Sequence, residues 1–270
     1  MLYVAVTKDA AQRSIWTFYE TVGLNNVDIL IIKIGAIGDV VMALPMVDAI
    51  NKKFPGSHIT WICGETVSTL IKACNSSINI ISIDEKKLLG GTIVEKLLSL
   101  AGIWKTLFAR RFDLVITAHG DCRYRLLTLT VRGKERRGFG IRNGRRWPVP
   151  GRHHMSEYLR LVTKLDGPDA AQGELPVPQV ALPEHIKYEM SGSSSPLVAL
   201  APGGAKNVLR DDAVRRWPAE KYAALAEMLI RDGMRVAITG ALSDMWVMES
   251  FRELKVLNFI GKTDLRGLIA

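Results

Sequence analysis

A single aspartate, Asp39, follows the turn Gly35-Ala-Ile-Gly38, which itself closes a continuous apolar run, Asp28-Ile-Leu-Ile-Ile-Lys-Ile34. Glycines after a buried strand let backbone approach a ligand closely. A carboxylate in the first turn of the next helix is stabilised by free N–H groups and, in a cleft, can act as a general base. The same position would also serve plain helix capping. The glycine spacing is GxxG and not the dinucleotide GxGxxG, so a nicotinamide cofactor is not indicated.

A second cluster lies far along the chain, where Gly203-Gly204 precedes Lys206, Arg210, Arg215 and Arg216 and a helix start at Trp217-Pro218. Arginine forks and the free N–H groups of a helix start together hold a diphosphate. Asp211 and Asp212 offer the competing explanation, simple neutralisation of those arginines. There is no Asp-x-Asp pair, His/Cys cluster, Walker loop or GxSxG elbow. Phosphate charge would therefore fall to side chains and backbone dipoles, and no metal or cofactor is expected.

The third feature is charge. Between Arg123 and Arg152 stand ten basic residues against one acidic residue, Glu135, while the whole chain carries a formal net charge of +9. Such a segment attracts an anionic partner, whether nucleic acid, an acidic membrane surface or an acidic glycolipid, or else is a solvated basic loop.

The elements that must position these groups read as α/β. Apolar strands are expected at 28–34, 58–63, 78–83 and 112–118, alternating with helices at 40–54, 67–74 and 94–110, the pattern of a parallel doubly wound sheet. A helix at 155–165 presents Tyr158, Leu159 and Val162 inward. Proline and serine crowd residues 167–196, which reads as a linker. Strands at 197–200, 235–239 and 256–260 then alternate with helices at 219–232, 245–254 and 264–270. Residues 1–26 form an N-terminal extension with a helix near 10–22. At 270 residues, with 48% hydrophobic and 23% charged, two globular domains are expected. Three cysteines without CxxC spacing suggest neither disulfides nor zinc, and a reducing cytoplasm fits. Lys33 interrupts the longest apolar run, so no bilayer span is expected, and no secretory signal pattern is visible.

These residues carry a resemblance. Lys33-Ile-Gly-Ala-Ile-Gly-Asp-Val-Val-Met-Ala-Leu-Pro45 is similar to the N-terminal signature of glycosyltransferase family 9. Ala201-Pro-Gly-Gly204, Arg216-Trp-Pro-Ala-Glu220, Thr239-Gly240 with Asp244, and Asn258-Phe-Ile-Gly-Lys-Thr263 with Leu265 resemble its nucleotide-sugar half in the family's order, so that the likeness covers residues 27–270. It implies a GT-B fold, with two Rossmann-like doubly wound domains facing a cleft and the C-terminal one incomplete. Residues 27–166 would bind the acceptor and residues 197–270 the nucleotide sugar. It further implies inverting, metal-independent transfer of heptose from ADP-heptose to the inner core of lipopolysaccharide, at the cytoplasmic face of the membrane.

In that frame Asp39 matches the family's proposed base, and Gly203, Gly204, Lys206, Arg215, Arg216 and Asp244 would bind the donor. Arg215 stands two residues before Trp217, where the family often carries a lysine. The acceptor residues expected are Gly38, Arg123, Arg136, Arg137 and Arg142. Expected partners are a nucleotide sugar, an acidic glycolipid acceptor and, peripherally, an anionic membrane surface, with no nucleic acid. The family's Asp-Ser-Gly-Pro-x-His stretch would lie beyond Ala270, from which a fragment or a poorly active protein is expected. Three alternatives stay open: a relative with another sugar or acceptor, a non-catalytic sugar-binding protein, and a nucleic-acid-binding module. Only Tyr124, Phe139 and Trp147 accompany the arginines as aromatics, few for the last of these.

Overall fold

A computed structural model describes residues 26–142, 145–146, 148–163, 175–191, 194–204 and 213–269. The expected helix near 10–22 lies outside the described residues. The chain divides into two compact units, one comprising the residues up to Gly64 with Ser77–Ile83 and Leu97–Pro176, the other Glu65–Ser76, Asp84–Lys96 and Val177–Ala270.

The first unit is organised by a five-stranded sheet of β1 (Asp28–Ile32), β2 (His58–Gly64), β3 (Asn79–Ile83), β4 (Arg111–Thr117) and β5 (Arg132–Gly138), in the order β3-β2-β1-β4-β5. All four pairings are parallel. The central strands are apolar on both faces because both are covered: Ile29 to Ile32, Ile62 and Leu114 are fully buried, and Trp61 packs with them. The chain order reverses between β1 and β4, the switch point outside whose carboxyl ends ligands settle in open α/β sheets.

Two departures from the sequence reading matter here. The expected single helix 40–54 is two, Ile37–Ala43 and Pro45–Lys53, because Pro45 has no N–H to continue the first and is well suited to open the second. The basic segment, where no strand was expected, contains β5, whose sequence Arg-Gly-Lys-Glu-Arg-Arg-Gly has no apolar residue to announce a strand. A short ribbon of β6 (Ile141–Arg142) and β7 (Arg145–Arg146) follows, then the helix His154–Thr163, with Tyr158, Leu159 and Val162 buried as expected.

The second unit carries the parallel sheet β10-β9-β8, built from β8 (Leu197–Leu200), β9 (Arg235–Ile238) and β10 (Leu257–Asn258). Leu200, Val236 and Ile238 pack with Ala226 of the helix Ala219–Arg231 and with Val247 and Phe251 of a 3-10 helix, Leu242–Phe251, where an α-helix was expected. The expected linker also contains structure. Its helix Glu184–Met190 buries Ile186 against Ala237 and Phe259, and Arg235 donates to the Met190 and Glu189 carbonyls at 2.6 and 3.2 Å. Proline and serine marked the ends of this segment and hid the helix between them.

Candidate active site

A pocket of the first unit forms where β1 and β4 end. Backbone fixes the first of its side chains: Lys33 donates its N–H to the Ile62 carbonyl at 3.1 Å, and its own carbonyl accepts from the Trp61 indole at 3.1 Å. Held in this way, the buried Lys33 side chain reaches Asp39, Nζ to Oδ2 at 2.9 Å. A buried ammonium requires a charged partner, and the aspartate two residues into the next helix supplies it.

Asp39 lies in the first turn of Ile37–Ala43, but the cap residue is Ala36 and no side chain bonds the helix start. The carboxylate therefore does not act as a cap. Its Oδ1 faces His154 Nδ1 at 3.8 Å, and its side chain is 37% exposed, enough for a ligand hydroxyl to reach it. Tyr158 closes the floor, its ring 5.5 Å from Lys33 Nζ, and burial, with Asp39 nearby, pushes its phenol above the ordinary range.

At the end of β4, His119 Nε2 accepts the Ile34 N–H at 3.0 Å, and its ring stacks on Tyr124 with centroids 3.6 Å apart. Burial, reinforced by the Lys33 charge and opposed by Asp121, lowers the imidazole to about 3. His119 is thus a neutral acceptor that ties the Ile34 backbone to β4. Together with Gly120, Phe139 and Pro148 these groups line a pocket of about 270 Å³.

The arginines of the basic segment separate into different roles. Arg137 is spent inside the fold: its guanidinium pairs with Glu135 at 2.9 Å, each side chain being 6% exposed, and donates to the carbonyls of Leu161 and Val162. It closes the C-terminal end of His154–Thr163 and is not available to an acceptor. Arg136 likewise donates to Thr128 Oγ1 at 3.0 Å and to the carbonyls of Thr128 and Val131. For Arg137 this corrects the expectation that it faces an acceptor, because a buried cation was needed to satisfy Glu135 and the helix carbonyls; Arg136 is tied to backbone but stays exposed. Arg123 is highly exposed and bonds Asp121 through Nε at 2.8 Å, an arrangement that holds the Asp121 carboxyl below its usual range. Arg142 lies in β6, and Gly38 is exposed within its helix.

In the second unit, the turns after β8 and β9 are bracketed by one carboxylate. Asp244 accepts the N–H of Gly204 at 3.2 Å and of Ala241 at 2.9 Å. A Cβ on Gly203 would lie 2.3 Å from Asp244 Cγ, so only glycine fits, and Gly204 adopts φ +86°. Arg216 Nε donates to the Gly204 carbonyl at 2.7 Å while its guanidinium lies 5.9 Å from the Trp246 ring. Arg215 is exposed at the end of the turn Ala213–Arg215. The structure thus brings Gly203, Gly204, Arg216 and Asp244 together; Lys206 and Arg210 lie outside the described residues. Asp244, expected to bind the donor, has both oxygens engaged by backbone.

Sequence reasoning missed Lys33, His119 and His154 as site residues. Lys33 had a signal, since a cation inside a buried strand implies a partner. His154 had none, because its proximity to Asp39 depends on the return of a helix from beyond β5. Among the described residues, no group of three or more His, Cys, Asp or Glu could hold a metal ion.

A doubly wound unit with a carboxylate at its switch point is followed by a second parallel unit with glycine-rich turns, an arrangement that a two-domain glycosyltransferase can have. The sequence profile of glycosyltransferase family 9 (heptosyltransferase) matches residues 100–270, and the chain belongs to that family and is a glycosyltransferase. It is similar to the lipopolysaccharide core heptosyltransferase OpsX of Haemophilus influenzae, 27% identical over 254 residues, covering 89% of this chain and 69% of the relative. The solved structure of a glycosyltransferase of family 9 from Veillonella parvula matches with a TM-score of 0.71 at 20% identity, covering 90% of this chain and 71% of that one. E. coli heptosyltransferase WaaC with ADP matches with a TM-score of 0.66 at 18% identity, covering 90% and 77%. These likenesses establish the α/β fold of GT-B type.

Proposed function

We propose that this chain transfers heptose with inversion from ADP-heptose to the inner core of lipopolysaccharide, the first unit receiving the acceptor and the second the nucleotide sugar. The observation that carries the reading is Asp39, oriented by buried Lys33 at 2.9 Å yet open to the pocket. The acceptor hydroxyl gives its proton to Asp39 as its oxygen attacks the anomeric carbon. The bond from that carbon to the ADP oxygen breaks on the opposite face, and ADP leaves with the electron pair. A positioned base of this kind contributes roughly 10² to 10⁴ in rate. On the donor side, the backbone of Gly203 and Gly204 and the Arg215–Arg216 pair meet the diphosphate, which is why transfer is expected without a metal ion.

The substrate class draws support from the relatives: OpsX is a lipopolysaccharide core heptosyltransferase, and WaaC has been solved with ADP-2-deoxy-2-fluoro heptose. The basic character of residues 123–152 suits an acceptor that carries phosphates and carboxylates. An acidic glycolipid of that kind sits in the cytoplasmic face of the inner membrane, where the enzyme would act from the cytoplasm.

The test is transfer from ADP-heptose to Kdo-lipid A in the presence of EDTA, with the anomeric configuration of the product read by NMR. Asp39→Ala should slow turnover roughly 10² to 10⁴-fold while ADP still binds. A folded chain that is inert with ADP-heptose but active with another nucleotide sugar would reject the donor, and full activity in Asp39→Ala would reject the base.

A further inference from the structure

We propose that the outward face of the helix Ile93–Leu107, extended by Phe108 and by Leu126 and Leu129, docks on an anionic lipid bilayer. This helix is apolar on both sides. Ile103 and Leu107 are buried beneath it, yet Leu97 and Leu98 are 60% and 67% exposed. Within the first unit, Leu97, Ala101, Trp104 and Phe108 recur at helical spacing, so they form one outward stripe.

The stripe is widened by its neighbours. Trp104 Nε1 donates to the Leu126 carbonyl at 2.8 Å, and Thr130 Oγ1 donates to the Trp104 carbonyl at 3.3 Å. These bonds bring the segment of Leu126 and Leu129, 47% and 62% exposed, against the Trp104 turn of the helix, one turn before Phe108, which is 73% exposed. A contiguous exposed apolar patch of this kind marks an interaction surface.

Charge identifies the occupant. From Leu97 to Phe112, within the first unit, the sequence holds Lys105, Arg110 and Arg111, all exposed, and no acidic residue; Glu95 precedes this stretch and is engaged by Thr92 at the helix start. Apolar side chains on a ridge with a net positive surround are matched to a headgroup layer of negative lipids, with the leucines entering the acyl boundary. No helix among the described residues is long and apolar enough to cross a membrane, so the contact is peripheral. Orientation fits as well. A helix that leads into β4 of a parallel sheet runs against the strands, so Leu97 and Leu98 lie toward the sheet edge where β1 and β4 end and where Asp39 stands. The inference rests on the proposed function to the extent that an acceptor embedded in a bilayer gives the docking its purpose.

The experiment is co-sedimentation of the full chain with vesicles of phosphatidylglycerol and phosphatidylethanolamine, against phosphatidylcholine alone. Wild type should partition to the anionic vesicles, less so as salt rises. The triple variant Leu97→Ser, Leu98→Ser, Phe108→Ser should lose at least about tenfold in partitioning while melting like wild type, because those side chains are exposed. Charge reversal at Lys105 and Arg110 should abolish the preference for anionic lipid. Wild type that stays in the supernatant, or a triple variant that binds undiminished, overturns the proposal. So does a wild-type dimer that the triple variant dissolves with no change in vesicle binding, which would make a second copy the occupant. Because no donor or acceptor is present, failure of heptosyl transfer leaves this result standing, and failure of docking leaves the transfer chemistry standing.

Discussion

At the Asp39 pocket the working groups are side chains, and each is held by another: Lys33 orients Asp39, and His119 anchors the Ile34 backbone behind them. At the Gly203–Gly204 turn the arrangement is inverted. There the glycine backbone forms the surface and a side chain, Asp244, fits around it, accepting from Gly204 and Ala241. A group that must exchange a proton needs a titratable side chain in a fixed place. A surface that must grip a diphosphate needs close backbone approach and pointed N–H groups, which bulk would prevent. The two units therefore fail differently when they are altered.

The largest effect on the scaffold should come from Arg137→Met. It removes the Arg137 cation from Glu135, 6% exposed, and strips its bonds from the carbonyls of Leu161 and Val162. Breaking one partner of a buried pair costs about 3–5 kcal/mol, and urea unfolding should show that loss. If stability held and only the acceptor KM rose, Arg137 would belong to the acceptor site and the division between structural and functional arginines would collapse.

Gly203→Ala probes the other unit. A methyl group 2.3 Å from Asp244 Cγ must push the bracket apart, at about 1–3 kcal/mol. ADP affinity measured by calorimetry should drop, while the pocket around Asp39 keeps its geometry. ADP binding at wild-type strength would show that the turn is structural only.

Much of this was legible beforehand, and the reasons are local. β1, β2 and β4 are apolar runs because both of their faces are covered, and Asp39 stood out because a glycine turn placed it at a strand end. β5 was invisible, since its partner is β4 and its charges are taken up by Glu135 of its own strand together with Thr128 and the carbonyls of Leu161 and Val162 from elsewhere in the chain. No pattern within seven residues encodes such partners. His154 was hidden for the same reason. The glycines at 203 and 204 were legible as a turn, yet the reason they must be glycine, Asp244, lies 40 residues on.

The neutral histidine sharpens the comparison through pH. His119 titrates near 6.5 when unfolded and at about 3 when folded, chiefly because it is buried. Above 6.5 both states are neutral. As pH falls from there toward 3, the unfolded chain takes up a proton that the folded one refuses, so stability declines by about 1.4 kcal/mol per unit. Urea midpoints at pH 7 and 5.5 should show this slope in wild type and a shallower one in His119→Asn. An identical slope in both would place the acid sensitivity elsewhere.

The smallest effect tests where the acceptor touches the first unit. Gly38 is the second residue of Ile37–Ala43, is exposed, and a Cβ built on it meets nothing within 4 Å. Alanine there loses less backbone freedom on folding than glycine, so Gly38→Ala should stabilise the chain by up to about 0.5–1 kcal/mol. Because the scaffold gains, any loss of function has to come from the ligand. If the acceptor packs against this turn beside Asp39, the added methyl raises the acceptor KM and leaves ADP affinity unchanged. If stability rises and both constants hold, the turn's openness serves only to let the helix start next to Asp39, and Gly38 leaves the acceptor site.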